Sequence, residues 1–289
     1  MHIQLFAIRY WLFAPIVMTA PRILLFDSGM GGLTVARAVR TQLPNAHLTY
    51  SADNAGFPYG AWKEEALVKR IVTVMDALIE RAEPHIVVIA CNTASTIALA
   101  QLRDAYKLPF VGTVPAIKPA AAQTKSGIIG VLATPGTVSR EYTHALIHTY
   151  AYHCKVFLHG AKRLAEIAEE KLKGVAVDLD ELAREIGPAF RQREGKKTDV
   201  VVLGCTHYPL LIEDMLKVQP WLVKYIDPAP AIARRVADVL DETPITEAIR
   251  PVPPHNTVLL TSKRSDATDS LSAYEAMGFD QPEFIAMPV

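Results

Sequence analysis

Two apolar runs in this chain end on cysteines. Ile86-Val87-Val88-Ile89-Ala90 leads into Cys91, with Asn92 and Thr93 behind it, and Val200-Val201-Val202-Leu203-Gly204 leads into Cys205, with Thr206 and His207 behind it. A deprotonated thiol is a proton acceptor, and a helix start or a neighbouring imidazole favours that form. One cysteine in such a place is most simply a small buried hydrophobe. Two at matching strand ends suit a different chemistry, in which one thiol takes a proton from a shared carbon centre and the other returns one from the opposite side. His207, two residues past Cys205, is either a helix-start residue that packs or a proton-handling neighbour of the thiol. The remaining cysteine, Cys154 in Tyr152-His153-Cys154-Lys155-Val156, has no such setting and reads as structural.

The elements that must carry these thiols alternate between strand and helix. Ile23–Phe26 is a short buried run, followed by the turn Ser28-Gly29-Met30-Gly31-Gly32 and a helix from Leu33 to about Leu43. A second strand closes on Thr49-Tyr50-Ser51, residues 63–82 have helical spacing, strand 86–90 delivers Cys91, and 93–106 is the next helix. The pattern then restarts. Gly127–Leu132 is a strand with the turn Thr134-Pro135-Gly136-Thr137, Val138–Tyr150 is a helix, and 161–173 and 177–193 are helices separated by Gly174. Strand 200–203 delivers Cys205, and 209–218 is helical. Asp27 and Thr134 each follow a first strand, Cys91 and Cys205 each follow a later one, and the two pairs are separated by nearly equal intervals. The expectation is an α/β protein of two pseudo-symmetric α/β lobes with mostly parallel sheets and the active site in the cleft between them. Residues 22–114 plus 224–289 form the first lobe and 115–223 the second. A helix over 227–240, a strand near 257–261 and a helix near 268–277 complete the chain, the tail packing on the first lobe.

Composition narrows the partners. The chain has 289 residues, half of them apolar and 21% charged, with zero formal net charge. It is long enough for one large or two modest domains, and no basic stripe marks a nucleic-acid footprint. Three cysteines do not make a disulfide framework, and no CxxC or clustered Cys/His spacing speaks for a metal. Free thiols fit a reducing, cytoplasmic setting. Residues 3–18 are mostly apolar but short and interrupted by Arg9, so they read as an N-terminal extension (residues 1–21) with Met18 as the functional start, rather than a span or a signal peptide. No membrane partner is expected.

In open α/β sheets ligands sit beyond the carboxyl ends of the strands. Asp27, Cys91, Thr134 and Cys205 all fall there. The glycine-rich turn 28–32 lets backbone approach a ligand and presents N–H groups to an anion. It departs from GxGxxG at Thr34, so a carboxylate suits it better than a dinucleotide. Asp27 is otherwise a plain N-cap, and Phe57-Pro58-Tyr59-Gly60 is otherwise a plain turn. The turns 27–32, 57–60, 91–95, 134–137 and 205–208 hold no Lys or Arg, so backbone, hydroxyls and helix ends would hold an anionic ligand.

Asp27-Ser28-Gly29-x-Gly31-Gly32, Pro58-Tyr59-Gly60, Ala90-Cys91-Asn92-Thr93-Ala94-Ser95, Val114-Pro115-Ala116-Ile117-Lys118-Pro119, Gly204-Cys205-Thr206-His207-Tyr208-Pro209-Leu210 and Asp227-Pro228-Ala229-Pro230-Ala231-Ile232-Ala233 resemble, in order, the motif set of bacterial glutamate racemases. The match spans roughly residues 22–238. The resemblance implies a cofactor-independent enzyme that interconverts L- and D-glutamate for peptidoglycan synthesis. It implies Cys91 and Cys205 as the proton donor/acceptors, with Asp27 assisting Cys91 and His207 assisting Cys205. Asp27, Ser28, Tyr59, Gly60, Asn92, Thr93, Thr206 and His207 would line the glutamate site, and Glu169 corresponds to a supporting acid. It also implies a homodimer and a nucleotide-linked cell-wall precursor as activator. Three other readings compete. One is a racemase of aspartate or another acid, one a hydrolase using Cys205 and His207 that leaves Cys91 without a task, and one a non-catalytic amino-acid-binding protein.

Overall fold

The structure is a computed structural model that describes residues 20–243, 255–263 and 271–285. Met18 and most of the N-terminal extension lie outside the described residues, as does the start of the helix expected near 268–277. In chain order the first lobe contains β1 (Arg22–Asp27), α1 (Leu33–Gln42), β2 (His47–Ala52), α2 (Glu64–Ala82), β3 (Ile86–Ile89), α3 (Asn92–Ala105) and β4 (Phe110–Gly112). The second contains α4 (Ile117–Gln123), β5 (Ile128–Ala133), α5 (Pro135–Val138), α6 (Glu141–Tyr150), β6 (Lys155–Gly160), α7 (Leu164–Leu172), α8 (Leu179–Ile186), β7 (Gln192–Arg193), β8 (Lys196–Lys197), β9 (Val200–Gly204), α9 (Ile212–Val218) and β10 (Lys224–Ile226). The chain then returns through α10 (Ala229–Asp241), β11 (Asn256–Leu260), α11 (Leu271–Ala276) and β12 (Glu283–Phe284).

Two parallel sheets result. The first runs β12-β11-β2-β1-β3-β4 and the second β10-β9-β5-β6. Within each, the opening strand (β1 or β5) is central, the next strand (β2 or β6) lies to one side, and the cysteine-bearing strand (β3 or β9) lies to the other with a short outer strand beyond it. The duplication read from the cysteine intervals is therefore a duplication of topology. Strands covered on both faces must be apolar at every position. Ile86–Ile89 and Val200–Gly204 are buried throughout. Leu25 and Val88 face one core with α1 and α10, while Leu24 and Val87 face another with α2 and α3. Val201 and Leu203 pack toward α7, α8 and α9, and Val200 and Val202 toward α4 and α6. Among the described residues no helix is long and apolar enough to cross a membrane.

Several elements differ from the sequence expectation. The helix expected over 177–193 ends at Ile186; Gly187-Pro188-Ala189 makes a 3-10 turn, and β7 and β8 form an antiparallel hairpin. Proline removes a helix donor, and Glu194 and Gly195 take positive φ, as a tight hairpin turn requires. The helix expected over Val138–Tyr150 is two helices broken at Ser139-Arg140, the first capped by the Thr134 hydroxyl with Pro135 behind it. Lys224–Ile226, assigned from sequence to the first lobe, hydrogen bonds to β9, so the chain leaves the second sheet only after Ile226. In the tail, β11 pairs with β2 and β12 with β11, while Tyr274 and Phe279 pack their rings against Tyr50 at 5.9 and 5.8 Å.

Leu25 sits on the central strand with no exposed surface. Leu25→Ala is expected to destabilise the fold by about 2–5 kcal/mol, measured by chemical denaturation. A change within a few tenths of a kcal/mol would contradict a close-packed core at β1.

Candidate active site

Each cysteine and each opening-strand end sits at the carboxyl edge of its sheet, and the two edges meet. The Thr206 hydroxyl donates to Asp27 Oδ2 at 3.0 Å, joining the second lobe to the end of β1. In the mirrored position, Thr93 Oγ1 lies 3.3 Å from Thr134 Oγ1, joining the first lobe to the end of β5. In both cases a residue just behind a cysteine binds the opening-strand end of the other lobe. Asp27, Ser28, Cys91, Asn92, Thr93, Cys205, Thr206 and His207 are all buried.

On the first lobe Cys91 is the N-cap of α3, and its sulfur accepts the Ala94 N–H at 3.5 Å. The Cys91 thiol also donates to Ser28 Oγ at 3.8 Å, and Asp27 Oδ1 accepts both the Ser28 N–H (2.6 Å) and its hydroxyl (3.4 Å). Asp27 thus reaches Cys91 through Ser28. The helix start favours a thiolate, yet the Cys91 thiol is pushed well above its ordinary range. Burial is the main cause and the Asp27 charge adds to it, together outweighing the Ala94 N–H. Cys91 therefore carries its proton in the closed site. Burial also raises Asp27, against the opposing pull of His207, the Ser28 N–H and Thr206.

The second thiol is set differently. No α-helix starts on Cys205; the chain turns through a 3-10 segment, Tyr208–Leu211, before α9. Its partner is His207, whose Nδ1 lies 3.6 Å from Cys205 Sγ. His207 Nε2 lies 2.8 Å from Glu169 Oε1, and that oxygen also accepts the Met30 N–H at 2.5 Å. Burial opposes charge on His207, but its bonds to Cys205 and Glu169 and their charges prevail, so its pKa is raised well above 6.5. The Gly31 N–H points at the same Nε2 (3.1 Å), which suits the neutral ring; protonation exchanges that contact for the ion pair with Glu169.

The glycine-rich turn has a role its sequence did not disclose. A Cβ on Gly29 would stand 2.4 Å from Glu169 Oε1, and one on Gly31 would stand 2.4 Å from His207 Nδ1. Backbone does approach closely there, but what it approaches is this chain's own acid and imidazole. The N–H groups of Ser28, Met30 and Gly31 are taken by Asp27, Glu169 and His207, so they are not the open anion cradle expected.

Asn92 is buried and neither atom of its amide has a protein partner, which leaves it available to a ligand. Gly60 packs against Thr134, with an ideal Cβ position 3.4 Å from the Thr134 Cβ. The Tyr59 hydroxyl does not point to open space but donates to Asp53 Oδ2 at 2.5 Å. Asp53 also takes a two-pronged bond from Arg70 and one from Thr261. No motif marks Asp53, Arg70 or Thr261 in the sequence, and Phe57, whose ring lies 5.5 Å from that of His207, reads there only as part of a turn. The Asp-Asn just before the Phe57–Gly60 turn is the one available signal for Asp53.

Residues 33–236 match the family model described as Asp/Glu/Hydantoin racemase. The glutamate racemase of Brucella canis is 52% identical over 227 residues, covering 78% of this chain and 82% of that protein. The one from Bartonella bacilliformis is 53% identical over 227 residues, covering 78% and 84%. The Escherichia coli glutamate racemase, solved in complex with L-glutamate and the activator UDP-MurNAc-Ala, superposes with a TM-score of 0.86 at 42% identity, covering 93% of this chain and 99% of that one.

Removing the Glu169 charge tests the electrostatics of the second thiol. Imidazole NMR should show His207 protonated at neutral pH, with Glu169→Gln lowering its pKa. A folded pKa above the unfolded one means that this part of the stability is fully present below about pH 6.5 and is lost as pH climbs through the folded value. A His207 that titrates identically in both proteins would rule out the ion pair.

Proposed function

Because the chain belongs to the Asp/Glu/hydantoin racemase family and is an isomerase of the glutamate racemase kind, we propose that it inverts the α-carbon of glutamate by proton transfer between Cys205 and Cys91. The observation that carries this reading is the pair of topologically equivalent buried thiols, one from each sheet, where the sheet edges meet. With L-glutamate bound, the Cys205 thiolate takes the α-proton, breaking C–H and forming S–H. His207 lies beside that sulfur, with Glu169 behind it. Cys91, holding its proton, delivers it to the opposite face, which leaves the two thiols exchanged in protonation. For D-glutamate the roles reverse, and Ser28 and Asp27 are the groups through which Cys91 is adjusted.

The negative charge that builds on the α-carbon and its carboxylate needs fixed donors. The first N–H groups of a helix have no intrahelical acceptor; in α3 that of Ala94 is held by Cys91, while the side-chain amide of Asn92, its first residue, is unpaired. These groups support a carboxylate seat at the start of α3. D-glutamate as product fits a role in peptidoglycan synthesis, and free thiols fit the cytoplasm. A homodimer is proposed on the family resemblance alone.

Activation by a nucleotide-linked wall precursor is part of the same proposal. A cavity of about 350 Å³ lies at the crossing between lobes, lined by Gly112, Val114–Ala116, Lys118, Tyr142, Tyr150 and Arg235 among others. It offers two cations and two aromatic rings to a charged, ring-bearing ligand, and the Escherichia coli relative was solved with UDP-MurNAc-Ala. Adding that compound should raise turnover, and Arg235→Ala should weaken the response without altering unstimulated activity. Equal responses in both proteins would place activation elsewhere.

Glutamate in D2O separates the main readings. Deuterium at the α-carbon together with inversion supports racemisation, whereas tight binding without exchange makes the chain a binding protein. Cys91→Ser and Cys205→Ser should each lower racemisation by more than about 100-fold, serine being the far weaker base. Full turnover by Cys205→Ser in both directions would overturn the two-base scheme. Aspartate assayed beside glutamate tests the rival substrate.

A further inference from the structure

The end of β11 lies beside the end of β2, with Leu260 opposite Ala52. Just beyond these ends, the return segment and the 53–56 loop are bound to each other more closely than a chance surface contact requires. The Thr261 hydroxyl donates to Asp53 Oδ1 at 2.6 Å and accepts the Ala55 N–H at 3.1 Å. Asn54 Oδ1 accepts the N–H groups of Thr261 (3.1 Å) and Ser262 (3.0 Å), and its Nδ2 donates to the Ser262 carbonyl at 3.0 Å.

This junction leads to the reaction site through one side chain. Asp53 has no exposed surface. Besides Thr261 it binds Arg70 Nε and Nη2 at 2.6 and 2.5 Å, and its Oδ2 holds the Tyr59 hydroxyl. The Tyr59 ring packs on Phe26, 6.3 Å between centroids, and the next residue, Gly60, packs on Thr134 across the cleft. A displaced Asp53 would move Tyr59, which shares a core with Cys91, and with it the turn whose Phe57 faces His207.

We propose that Thr261 is a positioning residue for the reaction: through Asp53 it fixes the 57–60 turn against the substrate, so the C-terminal return segment is part of the active-site framework. The proposal rests on the racemase reading given above. Thr261 touches neither thiol, so its contribution is to the shape of the site before chemistry, and a loosened wall weakens substrate binding more than the proton transfers. Valine has the shape of threonine without the hydroxyl. Thr261→Val is therefore expected to raise KM for both glutamate isomers roughly fivefold or more while kcat stays within about twofold. Thr261→Ser, which keeps the hydroxyl, should restore KM.

A purely structural role gives a different pattern. Leu259→Ala removes core packing from the same strand and should lower the melting temperature without raising KM. The proposal is overturned if Thr261→Val keeps the wild-type KM, if its KM rises only in step with lost thermal stability as in Leu259→Ala, or if Thr261→Ser fails to restore it. Should the valine protein not fold, Thr261→Cys, a weaker donor of similar size, is assayed against the same outcomes. Wild-type protein that exchanges no α-proton in D2O removes the racemase reading and this proposal together. Wild-type turnover with an unaltered valine variant removes this proposal alone.

Discussion

Two carboxyl groups and two thiols share the closed space between the sheets with one imidazole, and their mutual electrostatics govern the rest of the site. Burial penalises every charge there. Asp27 and Cys91 are both pushed toward their protonated forms, and the Asp27 charge further disfavours a Cys91 thiolate. His207 is also held in its protonated form, which for an imidazole is the charged one, by Cys205 and Glu169 against the cost of burial. Proton transfer between two thiols requires that one hold a proton while the other lacks it. The surroundings of the two thiols already differ in the sense the proposed reaction needs: burial and Asp27 raise Cys91, whereas a raised His207 stands beside Cys205.

The same asymmetry explains why a duplicated framework does not give two identical half-sites. The strand order β2-β1-β3-β4 is repeated by β6-β5-β9-β10, and the repeat places each thiol beyond an equivalent strand. The chain takes a different course after each thiol. Cys91 caps a 14-residue helix, whereas Cys205 enters a 3-10 turn and relies on a side chain two residues away. The opening strands end differently too, on Asp27 in one sheet and on Ala133-Thr134 in the other. Placement comes from the shared topology, and electrostatics come from the residues that depart from it.

The sequence disclosed what is local and lost what is distant. Strands β3 and β9 were legible because strands covered on both faces are continuous apolar runs. The three-residue strands β4 and β10 are too short to show a period, and β6 is a half-exposed edge strand whose Lys155 and His159 interrupt its pattern. The cysteines, Asp27 and His207 announced themselves by type and position. Glu169 did not: it lies in an ordinary amphipathic helix, 38 residues from the imidazole it binds, and only the family resemblance pointed to it. Asp53 and Thr261 are 208 residues apart, and nothing within either segment marks the partnership.

The glycine-rich turn shows how a correct local inference can have the wrong object. Glycine at positions 29 and 31 did mean close approach to backbone. The approaching groups, however, come from the second lobe, so the turn forms part of the contact between lobes as well as part of the site. Glu169 and His207 can reach the first lobe only because those two positions lack a Cβ. The His207 imidazole is thereby seated against the backbone that follows Asp27, whose Oδ2 also accepts the Thr206 hydroxyl. Any opening of the cleft that separates the lobes must break these contacts and withdraw His207 from the Met30–Gly31 backbone. The Glu169 oxygen would lose the Met30 N–H and gain water, and His207 would lose the burial that opposes its charge. The groups that raise His207 stand with it on the second lobe, and the Asp27 charge that adds to the burial of Cys91 stands on the first, so contact between the lobes joins two half-sites whose acid–base characters are set separately.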